Sequence, residues 1–180
     1  MTVIVDEIGE VVESMRNLSA ADAAKFGITA GLTSPYYFYG HPMDINRQMI
    51  LRDKEASTRG KVYPAIALRL PITEEVKNGL IFYTLNLAIF ETTQLDWDAS
   101  ERYENVIKPT LIPLYELFLD RLKKHGFVWE GDIKRPPHTK IDRPHHGVLE
   151  TQGNKAYQFE NKLDAIELVN LKINFNFKQC

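Results

Sequence analysis

The sequence predicts an α+β fold: an antiparallel or mixed β-sheet with an N-terminal helix and a long kinked helix packed on one face. Three observations carry this. Apolar residues recur at spacings of three and four from Ile4 to Leu18, and again from Tyr103 to Leu122, which is the helical period. Leu80–Gln94, free of proline and glycine and rich in β-branched and aromatic residues, and Val169–Phe177, with its strict alternation, read as strands. The chain has 180 residues, 44% of them hydrophobic, which suits one domain able to bury roughly two-thirds of its unfolded surface. A single α+β domain over residues 1–180 is therefore expected, with an irregular arm or insertion at about 130–162.

Composition removes several function classes. Twenty-two Lys plus Arg face 24 Asp plus Glu, so overall charge cannot hold a polyanion, although a local basic patch remains open. The single cysteine, Cys180, allows no intrachain disulfide and no cysteine-rich metal site. The opening MTVIVDEIGEVVESM has no basic stretch ahead of its apolar residues and does not read as a signal peptide. The longest apolar run, LIFYTLNLAIF, falls well short of the roughly 20 residues a membrane span needs. An intracellular, soluble product is the expectation.

The elements follow in order. The first helix puts Ile4, Ile8, Val11, Val12, Met15 and Leu18 on one side, and Glu7, Glu10 and Glu13 on the other. Ser19-Ala-Ala-Asp22 fits a capping box for a short alanine-rich helix stopping at Gly27. Tyr36–Tyr39, between Pro35 and Gly40, read as a short strand. Arg47–Lys61 is rich in charge and reads as an exposed loop. Pro64–Leu70 is the next strand, ended by Pro71, with Asn78-Gly79 as a turn. Along Leu80–Gln94 the core face is Ile81, Tyr83, Leu85, Leu87 and Ile89; the other parity is mixed enough to be wet or to meet another subunit. Fully extended, that strand approaches about 50 Å, so it either bends or projects.

Asp98-Ala-Ser-Glu101 is a second capping box, opening the long helix that ends in Lys123, Lys124, His125 and Gly126. Pro109 and Pro113 predict a kink or division near residue 109. Within the arm, Val148–Glu150 and Ala156–Phe159 are candidates for a hairpin around Gln152-Gly-Asn. In the last strand, Ile166 and Leu168 have the opposite parity to Val169, Leu171 and Ile173, which predicts a bulge or bend near 168.

Motifs of chemistry are sparse. His138, His145 and His146 lie together beside Asp142 and Glu150, but without the fixed spacing of an HExxH pair or paired cysteines; adjacent His145 and His146 diverge from an extended chain, so no metal site is expected. His41 and His125 read as structural. There is no GxGxxG, no GxxxxGK[ST] and no GxSxG. No cofactor is expected. Glu91, Asp96 and Asp98 form the one carboxylate group with a case for metal or acid–base work, against the plainer reading that Asp98 caps a helix. The basic residues Lys134, Arg135, His138, Lys140, Arg143, His145 and His146 form an arm suited to a subunit contact or a solvated loop; it lacks the interleaved aromatics of a nucleic-acid platform. With Tyr36, Tyr37 and Tyr39 they are the candidate contact residues, and no catalytic residue is assigned.

The order of these elements resembles the tail terminator (tail completion) proteins of long-tailed bacteriophages. Tyr36-Tyr-Phe-Tyr-Gly40 and Val62-Tyr-Pro-Ala-Ile-Ala-Leu68 look like that family's first strands. Leu80–Thr93 and Asp98–Gly126 look like its long strand and helix, and Ala165–Phe177 like its closing strand. The resemblance covers about three-quarters of the chain by order and texture, with no catalytic motif. It implies a structural virion protein of the neck, a homo-oligomer that is usually a hexameric ring. The ring caps the tail tube, ends its polymerisation and joins the head, while DNA passes through without sequence-specific recognition. Its partners would be the tail tube protein and a head-completion protein. The other readings are another neck, tube or baseplate component, a small metal-dependent hydrolase or nuclease built on Glu91, Asp96, Asp98 and the histidines, and a small-molecule binding module.

Overall fold

In the computed structural model, residues 2–16, 18–28, 35–55, 57, 62–77, 80–130, 134–148 and 158–175 are described. The apolar stripe of the N-terminal stretch becomes α1 (Thr2–Ser14), with Ile4, Ile8, Val11 and Val12 buried. Ser19 caps α2 (Ala20–Phe26) by accepting from Asp22 N at 3.1 Å, and Gly27 ends it at φ 67°, where a Cβ is disfavoured. The aromatic run forms β1 (Tyr36–Gly40).

The charged interval expected to be a loop is largely a helix instead, α3 (Pro42–Lys54). His41 Nδ1 accepts from Met43 N at 3.3 Å as its cap, and Pro42 lies in the first turn, where its missing N–H costs nothing. Ile45 and Met49, one turn apart, are its buried residues. This helix is also a topological requirement. β1 pairs in parallel with β2 (Ala65–Lys77), Tyr36 opposite Ala65, and parallel neighbours need a crossover between them.

β2 does not end at Pro71. It runs to Lys77, because its register on β3 (Leu80–Thr92) jumps between Arg69 and Thr73. The proline falls in that unpaired interval and removes no ladder hydrogen bond. Asn78 and Gly79 lie outside the described residues, although Lys77 pairs with Leu80 on either side of them.

The capping box at Asp98 is formed in both directions: Glu101 N donates to Asp98 Oδ1 and Asp98 N to Glu101 Oε2, each at 2.9 Å. It opens α4 (Ala99–Arg102), which passes into a nine-residue π-helix (Tyr103–Leu111) and then α5 (Ile112–His125). The division predicted near Pro109 is thus a change of helical register rather than a gap. Pro109 lies inside the wider turn, and Pro113 occupies the first turn of α5. Gly126 closes α5 at φ 101°.

β6 (Gln158–Phe175) is the sheet's spine, pairing with β3 on one side and with β4 (Phe127–Val128) and β5 (Thr139–Val148) on the other, all antiparallel. The sheet order is β1-β2-β3-β6, with β4 and β5 beyond β6. The bulge predicted near 168 is present. Pairing with β3 shifts between Leu168 and Leu171, and Asn170 takes φ 55°, a conformation asparagine tolerates. Asn170 N donates to Asn86 Oδ1 at 3.1 Å across the shift. Residues 130–162 are less irregular than expected, since 139–148 is an edge strand. Its register slips around Pro144, again placing a proline where no ladder bond is needed. Val148 pairs with Gln158, as a hairpin requires; Gln152-Gly-Asn and Glu150 lie outside the described residues.

The α+β fold is therefore as expected, with one helix more. α1, the π-helix and α5 cover one face, burying Tyr83, Leu85, Leu87, Ile89, Ile166, Leu168, Leu171 and Ile173. α3 covers part of the opposite face, where Phe38, Ile45, Met49, Ala65, Ala67, Ala88, Phe90 and Ala165 make a second, smaller core. The second parity of β3 is accordingly apolar core at Ala88 and Phe90, and half-buried and mixed at Phe82, Thr84 and Asn86. Among the described residues, no helix is long and apolar enough to cross a membrane.

Candidate functional site

Beside the second core, the same face of the sheet carries charge. Arg69 of β2, Glu167 of β6 and Arg143 of β5 converge because residues of one parity on paired strands share a face, and the register slip around Pro144 brings His146 of β5 to the same face. Arg69 donates to Glu167 Oε1 at 2.6 Å, Arg143 Nε donates to Glu167 Oε2, and Arg69 Nη2 lies 3.0 Å from His146 Nε2. Phe90 underlies the group, with its ring 4.9 Å from that of His146 and 5.4 Å from the Arg69 guanidinium.

The electrostatics follow from this packing. Burial, and next the Arg69 charge, lower the His146 pKa from 6.5 to about 4. His146 is therefore neutral at pH 7, and its Nε2 accepts from Arg69. Burial alone would raise the Glu167 carboxyl; the hydrogen bonds from Arg69 and Arg143 outweigh it and hold the pKa low. Two guanidiniums thus clamp one carboxylate across three strands. Both oxygens of Glu167 are engaged, so the cluster acts as a staple.

A second charged group lies on the helix face. Arg102 and Asp164 are 1% and 0% exposed and 3.0 Å apart. Arg102 also donates to the carbonyls of Gln94 and Trp97, at 2.7 and 3.0 Å, and Asp164 Oδ1 accepts from His145 N at 2.9 Å. One buried pair thus ties the β3–α4 connection, β5 and β6 together. Sequence reasoning missed Arg69, Arg102, Asp164 and Glu167. The available signal was charge inside runs otherwise apolar, at 69 in AIALRL and at 164 and 167 in LDAIELV.

The residues singled out from sequence are scattered, and most have internal work. Tyr37 Oη donates to Val5 O at 2.9 Å, holding α1 to β1, and Gly9 admits the ring: a Cβ there would lie 3.2 Å from it. Burial raises the Tyr37 pKa. Tyr39 packs against the larger core, while Tyr36 packs against the smaller one under Arg16 and Arg52. Arg135 pairs with Glu116 at 2.8 Å, and Lys140 with Asp142. His138 bridges Tyr115 Oη at 2.8 Å and Pro136 O at 2.7 Å. Lys134 and His145 are exposed, the latter at φ 60° in the β5 irregularity.

The enzyme-like set does not assemble. Glu91 lies on the helix face of β3, opposite in parity to Phe90 and hence to His146. It borders an open cleft of about 300 Å³ with Thr93, Trp97, Asn105 and Thr110. Burial raises the Glu91 pKa, and its Oε1 accepts from both the N–H and hydroxyl of Thr92. Asp98 is committed to its cap, Asp96 is exposed, and His138 is held by Tyr115. Elsewhere Glu7, Glu10 and His125 offer three ligand atoms within 4.8 Å of one another, where His125 Nε2 already lies 2.7 Å from Glu7.

The chemically unspent surface lies at the other end of the sheet. At the tip of the β2–β3 ribbon Val76, on the helix-side face with Ile81, and Leu80, on the opposite face with Lys77, are 66% and 43% exposed, while farther in Phe82 and Thr84 border a small cavity with Trp129, Glu130 and Pro137. On α3, Met43 and Leu51 are 71% and 54% exposed. The chain matches no known family model, no curated protein and no solved structure.

Proposed function

We propose that the chain is a structural subunit of a phage neck, of the tail terminator kind. It closes into a ring that caps the tail tube, ends its polymerisation and joins tail to head, with DNA passing through the opening. Its partners are further copies of itself, the tail tube protein and a head-completion protein. The observation that carries this reading is the bare end of the β2–β3 ribbon. Thirteen-residue strands extend past the core, and the extension presents Val76 and Leu80 to solvent. A free monomer gains nothing from such surface, whereas a ring uses it between subunits.

Two further features support it. The order keeps the features on which the resemblance rests, an N-terminal helix, the short β1, the long β3 leading into the long helix and a closing strand, with α3, β4 and β5 added between them. Arg69, Glu167 and Arg143 tie β2, β6 and β5 together, and Arg102–Asp164 ties α4 to β6, as a load-carrying subunit requires. Electron microscopy of the purified chain tests the proposal. Rings with a central opening are expected; single 20.7 kDa particles throughout would overturn it.

A further inference from the structure

Resting on that ring reading, the structure assigns the contact that closes it: we infer that the tip of the β2–β3 ribbon of one protomer docks on α3 of the next. The two patches are Met43 with Leu51 and Val76 with Leu80, four of the exposed large hydrophobic residues among those described. Met43 and Leu51, eight residues and thus about two helical turns apart, rim a shallow apolar groove of about 200 Å³ on α3, and Arg47 lies between them. The tip presents Val76 on one face of the ribbon and Leu80 on the other, because Val76 pairs with Ile81 and Leu80 with Lys77. A two-sided apolar edge of this kind enters a groove rather than lying on a flat surface.

Charge matches as well. The tip carries Glu74, Glu75 and Lys77, with Lys77 held by Glu75 at 3.1 Å, which leaves one carboxylate in excess. The groove carries one guanidinium, and among the described residues Arg47 has no ion-pair partner. Geometry decides the occupant. α3 packs on β2 around Ala65 and Ala67, and Val76 lies nine residues farther along the strand, roughly 30 Å away. The tip therefore cannot reach the groove of its own chain. A contact between unlike patches of two copies is heterologous, the kind that forms a ring when the rotation between neighbours closes.

The test is disulfide trapping of the full chain, with Cys180→Ser removing the native thiol. Leu51→Cys and Val76→Cys are made separately and together; both positions are exposed, and melting curves check folding. Mixing the two single variants under oxidation should give a cross-linked pair that neither gives alone. The chain carrying both should give a ladder of linked oligomers. Self-linked Leu51→Cys or Val76→Cys pairs, without the mixed product, would overturn the inference. So would an absence of cross-links in a sample that light scattering shows to be oligomeric, and the ring reading would then survive with other surfaces. A chain monomeric at every concentration would remove both.

Discussion

The two ends of the β2–β3 ribbon obey different physics. At Ala65–Leu68 and Leu87–Phe90 the strands are covered on both faces, and every residue is buried. At Thr73–Lys77 and Leu80–Thr84 the backbone ladder continues while burial fades: Tyr83 is still buried and Ile81, Phe82 and Thr84 are half-buried, but Thr73–Lys77 and Leu80 are exposed. Hydrogen-bond pairing holds the outermost residues, Thr73–Lys77 and Leu80, while packing against α3 and the main helices accounts for the stability of the other end. The covered end is where a substitution should unfold the protein, and the bare end is where one should change what it binds.

The largest effect is expected from Arg102→Ala. It leaves Asp164 buried without its partner and should cost about 3–5 kcal/mol in urea unfolding. A loss near zero would show that the pair does not tie the covered end. Met49→Ala empties the centre of the smaller core and should cost roughly 2–5 kcal/mol. If it behaved like a surface change, α3 would not be a structural layer.

The His146 cluster gives a pH-dependent version of the same contrast. Its pKa falls from 6.5 unfolded to about 4 folded, so the native state binds fewer protons between those values. Its contribution is complete above pH 6.5 and is lost as pH falls towards 4. Glu167, whose pKa is held below 4.5, adds a further loss at still lower pH. His146→Gln keeps an acceptor for Arg69 without the titration, and should flatten the thermal-stability curve between pH 6.5 and 4 while leaving the lower limb. An unchanged curve would place the titration elsewhere. The smallest effect belongs to the tip: Val76→Asp should alter unfolding by no more than about 0.5 kcal/mol, yet abolish self-association measured by sedimentation.

What could be read in advance divides along similar lines. Elements that bury one periodic face were legible: α1, the long strand, and the bulge betrayed by the parity change between Leu168 and Leu171. So were the caps at Ser19 and Asp98, where a local side chain satisfies a local N–H. Pro71 misled, because a proline reads as a strand terminator unless the partner's register is known, and it lies where pairing slips, as Pro144 does within the arm expected to be irregular. α3 was hidden because, among its described side chains, only Ile45 and Met49 are buried, while exposed Met43 and Leu51 blur the stripe; a histidine cap is a weak signal besides. The Arg69–Glu167–Arg143 clamp was illegible for a different reason. It joins residues 98 and 24 positions apart through strand pairing, which no local pattern encodes.

The central claim is that this chain is one subunit of a closed assembly, and its mass in solution tests that most directly. Light scattering on the purified protein over a range of concentrations should converge on a fixed multiple of 20.7 kDa. A constant single-chain mass over the whole range would contradict the account.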